Sequence, residues 1–420
     1  MADVPDGDSG REYPRRRPLG GTFMTADTNT GSSGALAGVV QGGPRAGMVD
    51  LGPGYLDADL VPVTLIGRWA TVALEHWGAG ALAYGADAGP LPLRAFLAAR
   101  VAALGATACG PDNVMTTGGT SQALDYLAAR LSREGRVVLT EALTYDLGRL
   151  IFEERGVRTV AVTGPADDLD PAEFAHAIKQ AVRVTGQPPA LYLIPTFHNP
   201  TGRVISADRG TEILTLAHEA GALLIEDQAY AGLSYEPAGP PPPLWHSAPD
   251  PERVISLYSF AKCLAPGLRV GWLVSGERAV AGLAADATRR SGGGPSHFAA
   301  MVIAGGCLTS ELDEHVATVR EQLGHRRDVL LAALEGHLPD GFLVRRPAGG
   351  FFAWIDVPKA VDDEALLRDA EHAGVSFAAG RRFGASARGV RLCFAACGPR
   401  MLEQGATRFL HACQMAVACD

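Results

Sequence analysis

Short apolar runs, each closed by polar residues and followed by a helical pattern, occupy the middle of this chain. Residues 190–194 (ALYLI) lead into Pro195-Thr196-Phe197-His198-Asn199-Pro200-Thr201-Gly202, and residues 222–225 (ALLI) into Glu226-Asp227-Gln228-Ala229-Tyr230. The stretches 114–117, 136–140, 159–163, 254–259 and 269–275 read as further strands. Helical periods fall over 91–104, 123–131 and 146–155. Continuous apolar strands alternating with helices demand a mostly parallel sheet covered on both faces. In such sheets ligands sit beyond the carboxyl ends of the strands. The residues at those ends are therefore the candidates for function.

The totals narrow the class. The 420 residues are enough for a large core and more than one lobe. Hydrophobic residues make up 47% and charged residues 20%, which is globular composition. A net charge of -9 argues against nucleic acid or an anionic membrane as the main partner. No apolar stretch is long enough to span a bilayer. Arg15, Arg16 and Arg17 have no apolar core after them, so no signal peptide is read there. The seven cysteines are scattered without a C-x-x-C pair, which points away from zinc and toward a reducing compartment, the cytoplasm. No metal ligand is assigned.

Lys262 follows the 254–259 strand directly. Desolvation there favours the neutral amine, and a neutral amine attacks an aldehyde. Ser259 stands three residues before it and Arg269 seven after. A hydroxyl and a planar cationic fork suit a phosphate. An aldehyde that carries a phosphate is pyridoxal 5′-phosphate. Taken alone, a lysine after a strand is far more often an ordinary surface residue; its neighbours carry the argument. Gly118-Gly119-Thr120-Ser121, between strand and helix, is the kind of turn that aims backbone N–H groups at a phosphate, although many such turns bind nothing.

The remaining segments complete the layout. Residues 1–46 lack a hydrophobic period and are expected to be a disordered tail. Gly52-Pro53-Gly54-Tyr55 is loop chemistry, either a cover over the substrate, with Tyr55 touching it, or plain connection. Tyr84, at the glycine turn that ends at Gly89, is either a core-edge residue or a phosphate contact. A Gly-rich break at 292–295 precedes another helix. Ser310 with Asp313 resembles a helix start, and a long helix to about 338 leads into a smaller lobe. Arg391 lies in an apolar strand, and is either paired within the protein or placed to receive a carboxylate. The expected division is 47–95 with 310–420 as the small domain and 96–309 as the large one.

Taken together these residues resemble the class I and II aminotransferases of the pyridoxal-phosphate-dependent fold type I, closest to the branch with the aminoadipate-type transaminases. The resemblance spans about residues 48–415. It rests on Asn199-Pro200-x-Gly202, Asp227-x-x-Tyr230, Ser259-x-x-Lys262 with Arg269, and Arg391, in that order. It implies an α/β large domain with a mostly parallel seven-stranded sheet between helices, and a smaller α+β domain. It implies that Lys262 forms a Schiff base with the cofactor and later acts as general base. Asp227 would pair with the pyridine nitrogen. Asn199 and Tyr230 would bond the phenolic oxygen, Tyr145 would stack on the ring, and Thr120, Ser121, Ser259 and Arg269 would hold the phosphate. Tyr84 would reach the partner subunit's phosphate in a homodimer with shared active sites. Arg391 would grip the α-carboxylate of an amino acid substrate. The chain departs from the pattern at Ala261, at Cys263 and at His198, where the close branch often has Gln. His198 either senses substrate polarity or packs at a strand end.

The resemblance implies transamination of an amino acid with an oxo acid as acceptor. A second reading is a C–S lyase or decarboxylating deaminase acting on an S-conjugated cysteine in bacterial antibiotic biosynthesis. A third is a regulatory sensor that keeps the same fold, but such proteins carry an N-terminal winged helix that the first 46 residues do not supply.

Overall fold

The computed structural model describes residues 45, 47–105, 107–162, 169–384 and 388–418. Apart from Arg45, the expected tail lies outside the described residues, as does the end of the expected 159–163 strand.

Strand β1 (Val49–Asp50) opens the described chain. The large sheet is built from β2 (Val114–Thr117), β3 (Val138–Thr140), β4 (Thr159–Ala161), β5 (Ala190–Leu193), β6 (Leu223–Asp227), β7 (Val254–Ser259) and β8 (Gly271–Val274). Its order is β2-β8-β7-β6-β5-β3-β4. Pairings from β7 through β4 are parallel, and β8 runs antiparallel to both β7 and β2. The expected seven-stranded, mostly parallel sheet is therefore the one formed.

Side chains alternate across this sheet, so each strand feeds two cores. Leu191, Leu193, Leu224, Val254 and Tyr258 face one core. Ala190, Tyr192, Ile225, Ile255 and Leu257 face the other. On the first face lie helices Pro171–Thr185, Ala207–Glu219 and His297–Gly306, and on the second Thr120–Arg133 and Asp146–Glu154. Helices Val63–Trp77 and Leu91–Ala102 bury Trp69, Leu93, Leu97 and Val101 in the first core. Helix Val63–Trp77 and the start of helix Leu91–Ala102, expected in the smaller lobe, thus pack into the first core of the large sheet.

The smaller lobe carries β9 (Leu343–Val344), β10 (Phe352–Asp356), β11 (Val375–Ser376), β12 (Ala378–Ala379) and β13 (Gly389–Cys393). An antiparallel sheet runs β12-β13-β10-β9, and β1 pairs in parallel with β11. Its core gathers Val49 and Leu51 with Leu330, Leu334, Ile355, Phe394 and Phe409. The long helix Glu311–Leu334 stops short of 338, before Gly336 in a left-handed conformation. Ser310 is its N-cap residue, but its hydroxyl is taken up by the Glu314 side chain rather than by the helix backbone. Among the described residues no helix is long and apolar enough to cross a membrane.

The direction of β8 bears on the site. The carboxyl ends of β2, β6 and β7 lie on one rim of the sheet. Because β8 is antiparallel, its amino end lies on that rim too, with Gly271 opposite both Ser259 and Thr117. Arg269, two residues before Gly271, therefore arrives beside the β2 turn rather than on the far side.

Candidate active site

Among the described residues, five connections meet on this rim. Helix Thr120–Arg133 begins three residues earlier than its apolar period, so Thr120 and Ser121 lie in its first turn, where backbone N–H groups lack helical partners. Gly119 before it has φ +86, a left-handed conformation that suits glycine. A Cβ there would come within 2.9 Å of an Arg269 guanidinium nitrogen. Arg269 donates to the Gly118 carbonyl at 2.8 Å and itself adopts φ +51. It is not part of the expected 269–275 strand, which starts at Gly271. On the β7 side Ser259 is buried, and its Oγ accepts the Ala261 N–H at 3.1 Å. Helix terminus, hydroxyls and guanidinium together form a cradle for a dianionic group.

Lys262 lies close to this cradle, near enough for the charges of Arg269, Asp227 and Arg391 to act on its amine. Its Nζ donates to the Gly54 carbonyl at 2.6 Å and lies 5.5 Å from the centre of the Tyr230 ring and 5.6 Å from that of Phe351. Burial pulls its pKa down to about 8, with Cys393 and Asp227 opposing and Arg391 adding to the fall. Asp227 ends β6 and is buried. Tyr192 Oη donates to its Oδ2 at 3.0 Å, and the Ala229 N–H donates to Oδ1 at 3.1 Å. Burial raises its pKa to about 6 against these hydrogen bonds and the nearby Lys262. The amine and the acid, each shifted by burial, thus act on one another electrostatically.

Arg391 comes from β13, buried, with its guanidinium 4.1 Å from the Phe352 ring centre and 4.7 Å from that of Phe383. It donates to Asn199 Oδ1 at 2.7 Å and to the Gly52 carbonyl at 2.5 Å, while its Nε has no partner. Among the described residues no carboxylate pairs with it. The internal ion pair that the sequence allows is not formed among these residues; the partners are neutral. The 52–54 segment lends carbonyls to both Arg391 and Lys262. Tyr55 follows it, half-buried, with its phenol pushed up by burial and by Asp50.

Tyr145 precedes helix Asp146–Glu154 and is half-buried, its pKa raised to about 12 by burial and the carboxylates of Asp146 and Asp227. Tyr230 is buried and packs edge-on against Phe351 and Phe352. Tyr84 stands apart from these residues. It is 87% exposed, lies against Gly292, and lines a separate cleft of about 270 Å³ with Thr116, Arg289 and His297.

His198 does not face the cleft. It is buried, with Nδ1 2.8 Å from Thr201 Oγ1 and Nε2 3.2 Å from Glu141 Oε2. Burial lowers its pKa, with the Glu141 carboxylate opposing. Burial works against ionisation of Glu141, but His198 and Arg203 hold its pKa down to about 2. The cluster anchors the loop that presents Asn199. Sequence reasoning gave no role to Tyr192, Phe352, Phe383 or the Gly52 and Gly54 carbonyls. The one available signal was a tyrosine inside an otherwise aliphatic strand.

The cradle, the buried acid and the poised amine fit pyridoxal phosphate: a place for the phosphate, for the ring nitrogen and for the aldehyde carbon. This fold and this donor set define an enzyme that works through that cofactor. The profile of the family described as aminotransferase class I and II matches residues 65–409, and the chain belongs to that family, on its aminoadipate-type branch. It has the fold type I architecture and uses pyridoxal phosphate. It is 30% identical to a 2-aminoadipate transaminase of Thermus thermophilus over 371 residues, covering 87% of this chain and 89% of the relative. It is 32% identical over 338 residues to an uncharacterised HTH-type transcriptional regulator of Bacillus subtilis, covering 80% of this chain and 67% of that protein. The crystal structure of LysN, the alpha-aminoadipate aminotransferase of Thermus thermophilus, complexed with N-(5′-phosphopyridoxyl)-L-leucine, superposes with a TM-score of 0.79 at 28% identity. The match covers 89% of this chain and 94% of that one.

Proposed function

We propose that this aminotransferase acts on an α-amino acid with a free carboxylate, with Arg391 as its anchor and Lys262 as the base that moves the Cα proton. The observation that carries the reading is a buried guanidinium whose hydrogen-bond partners among the described residues are neutral, near the Lys262 amine on which the Asp227 carboxylate also acts. Bound pyridoxal phosphate supplies an electron sink for the bond broken at Cα. The chain's residues do the rest. Thr120, Ser121, Ser259 and Arg269 hold the phosphate, and Asp227 keeps the ring nitrogen protonated. Asn199 and Tyr230 would bond the phenolic oxygen, and the Tyr145 ring would stack on the cofactor. A carboxylate reaching Arg391 takes up the free Nε, and Tyr55 with the 52–54 segment covers it.

The reading extends to assembly and place. Leu82 through Asp87 are all exposed, an apolar and aromatic stretch around Tyr84, which supports a homodimer in which Tyr84 serves the partner's phosphate. The described cysteines are free, which supports the cytoplasm. The two-lobe division belongs to the same proposal, with helix Val63–Trp77 assigned by packing to the large lobe.

The test is a spectral titration of the loaded enzyme with a panel of amino acids, followed by identification of products by mass spectrometry. Conversion to the amino form of the cofactor with release of the matching oxo acid is expected. Pyruvate and free thiol from an S-alkylcysteine, with no amino form, would overturn transamination in favour of elimination.

A further inference from the structure

Tyr192 is central to β5 and fully buried, and its hydroxyl contributes nothing to filling the core. A phenylalanine would occupy the same volume against Phe152, whose ring meets it edge-on at 5.6 Å. A buried hydroxyl without a partner is costly, so the partner it has is informative. That partner is Asp227 Oδ2, at 3.0 Å. The space for the contact comes from Gly148, one turn into helix Asp146–Glu154. A Cβ at Gly148 would stand 3.0 Å from Tyr192 Oη and 2.9 Å from Tyr145 Cδ1. The strand alternation that buries Tyr192 in the second core also turns Asp227 to that face, two residues beyond Ile225.

We propose that Tyr192 is a positioning residue: its hydroxyl aims the Asp227 carboxylate and keeps it ionised, and Gly148 leaves the space that lets it do so. The proposal rests on the reading of Asp227 as partner of the cofactor ring nitrogen. Among the described residues, four titratable side chains face Asp227: Tyr192 from β5, Tyr145 before helix Asp146–Glu154, Tyr230 after β6, and Lys262 after β7. Lys262 alone of these supplies positive charge, and burial holds its amine toward neutrality. Burial also pushes the Tyr192 phenol well up, so it stays a donor. A hydrogen bond to the charged form of an acid favours that form. With Oδ2 held by the phenol and Oδ1 by the Ala229 N–H, the carboxylate has one orientation and a free lone pair on each oxygen.

The experiment uses Tyr192→Phe in the full chain, with and without cofactor. Without cofactor, the Asp227 carboxyl is followed by difference infrared spectroscopy against Asp227→Asn. Its titration midpoint is expected to rise by about one pH unit or more, the size of a lost hydrogen bond to a charged group. Affinity for pyridoxal phosphate should weaken by about tenfold. In the loaded enzyme the acid limb of kcat should move to higher pH while KM for the amino acid stays unchanged. Gly148→Ala should act in the same direction. A ring-fluorinated tyrosine at 192, a stronger donor, should move the midpoint down, and it covers the case in which Tyr192→Phe does not fold. An unmoved midpoint in either folded variant overturns the proposal. Full turnover in Asp227→Asn would instead break the ring-nitrogen reading, and the carboxyl titration would stand apart from that result.

Discussion

Glu226 and Asp227 are neighbours in β6, both buried acids, and they face opposite sides of the sheet. Glu226 shares its face with Leu224 and is met by donors on both oxygens. Ser256 Oγ and the Trp245 N–H reach Oε1, and Gln228 Nε2 and the Leu244 N–H reach Oε2. It staples the 244–245 turn to the sheet and has nothing left to offer a ligand. Asp227 has two donors and a pKa raised to about 6. A buried carboxylate saturated with donors is structural, and one left under-satisfied beside an amine is available for chemistry. One step along a strand separates the two roles.

The largest effect should come from the amine that Asp227 faces. Lys262→Ala should remove the visible absorbance of the covalently bound cofactor and lower turnover by on the order of 10⁴-fold or more. Retained turnover would end the comparison, because Asp227 would then face no reactive centre. Next, Asp227→Asn should lower kcat by roughly 10²–10³-fold, the scale of a lost electrostatic contact to developing charge. Glu226→Gln should leave kcat within about twofold and cost roughly 1–3 kcal/mol of stability, read as a lower Tm. Equal losses of kcat in the two variants would erase the distinction.

Arg391→Ala should lower kcat/KM for amino acids by about 10²-fold. The effect should vanish for amines that lack the carboxylate; an equal loss for both would make the arginine structural. The Lys262 amine gives a pH test. With its pKa lowered to about 8, its neutral fraction rises as pH passes through that value. At pH 7 about a tenth of it is neutral, against roughly one part in three thousand for an ordinary lysine. The rate at which the stripped protein captures pyridoxal phosphate should therefore climb between about pH 7 and 9 and then level off. Climbing without a plateau to pH 10 would show an unperturbed amine. The smallest effect is expected at His198, whose Nδ1 meets Thr201 and whose Nε2 lies 3.2 Å from Glu141. His198→Gln should cost about 1 kcal/mol of stability and leave the ratio of kcat/KM between substrates unchanged. A changed ratio would mean that His198 does reach the substrate.

What the sequence determined was the sheet and its rim. Continuous apolar strands can be buried only between two layers of helices, and the polar residues that close them must then emerge together. Asn199, Asp227, Ser259 and Lys262 could be found that way, because each is local to the strand that presents it. The partners of those residues needed the tertiary structure. Arg391 meets Asn199 across 192 positions of chain, and Lys262 meets the Gly54 carbonyl across 208. No spacing rule predicts such pairs, since they depend on register and on how the lobes dock. The same holds for Arg269, brought to the rim by the antiparallel direction of β8, and for Tyr192, whose hydroxyl has a role only because Gly148 has no side chain. Local pattern sets which face of a strand is buried; only packing sets what each buried polar atom finds there.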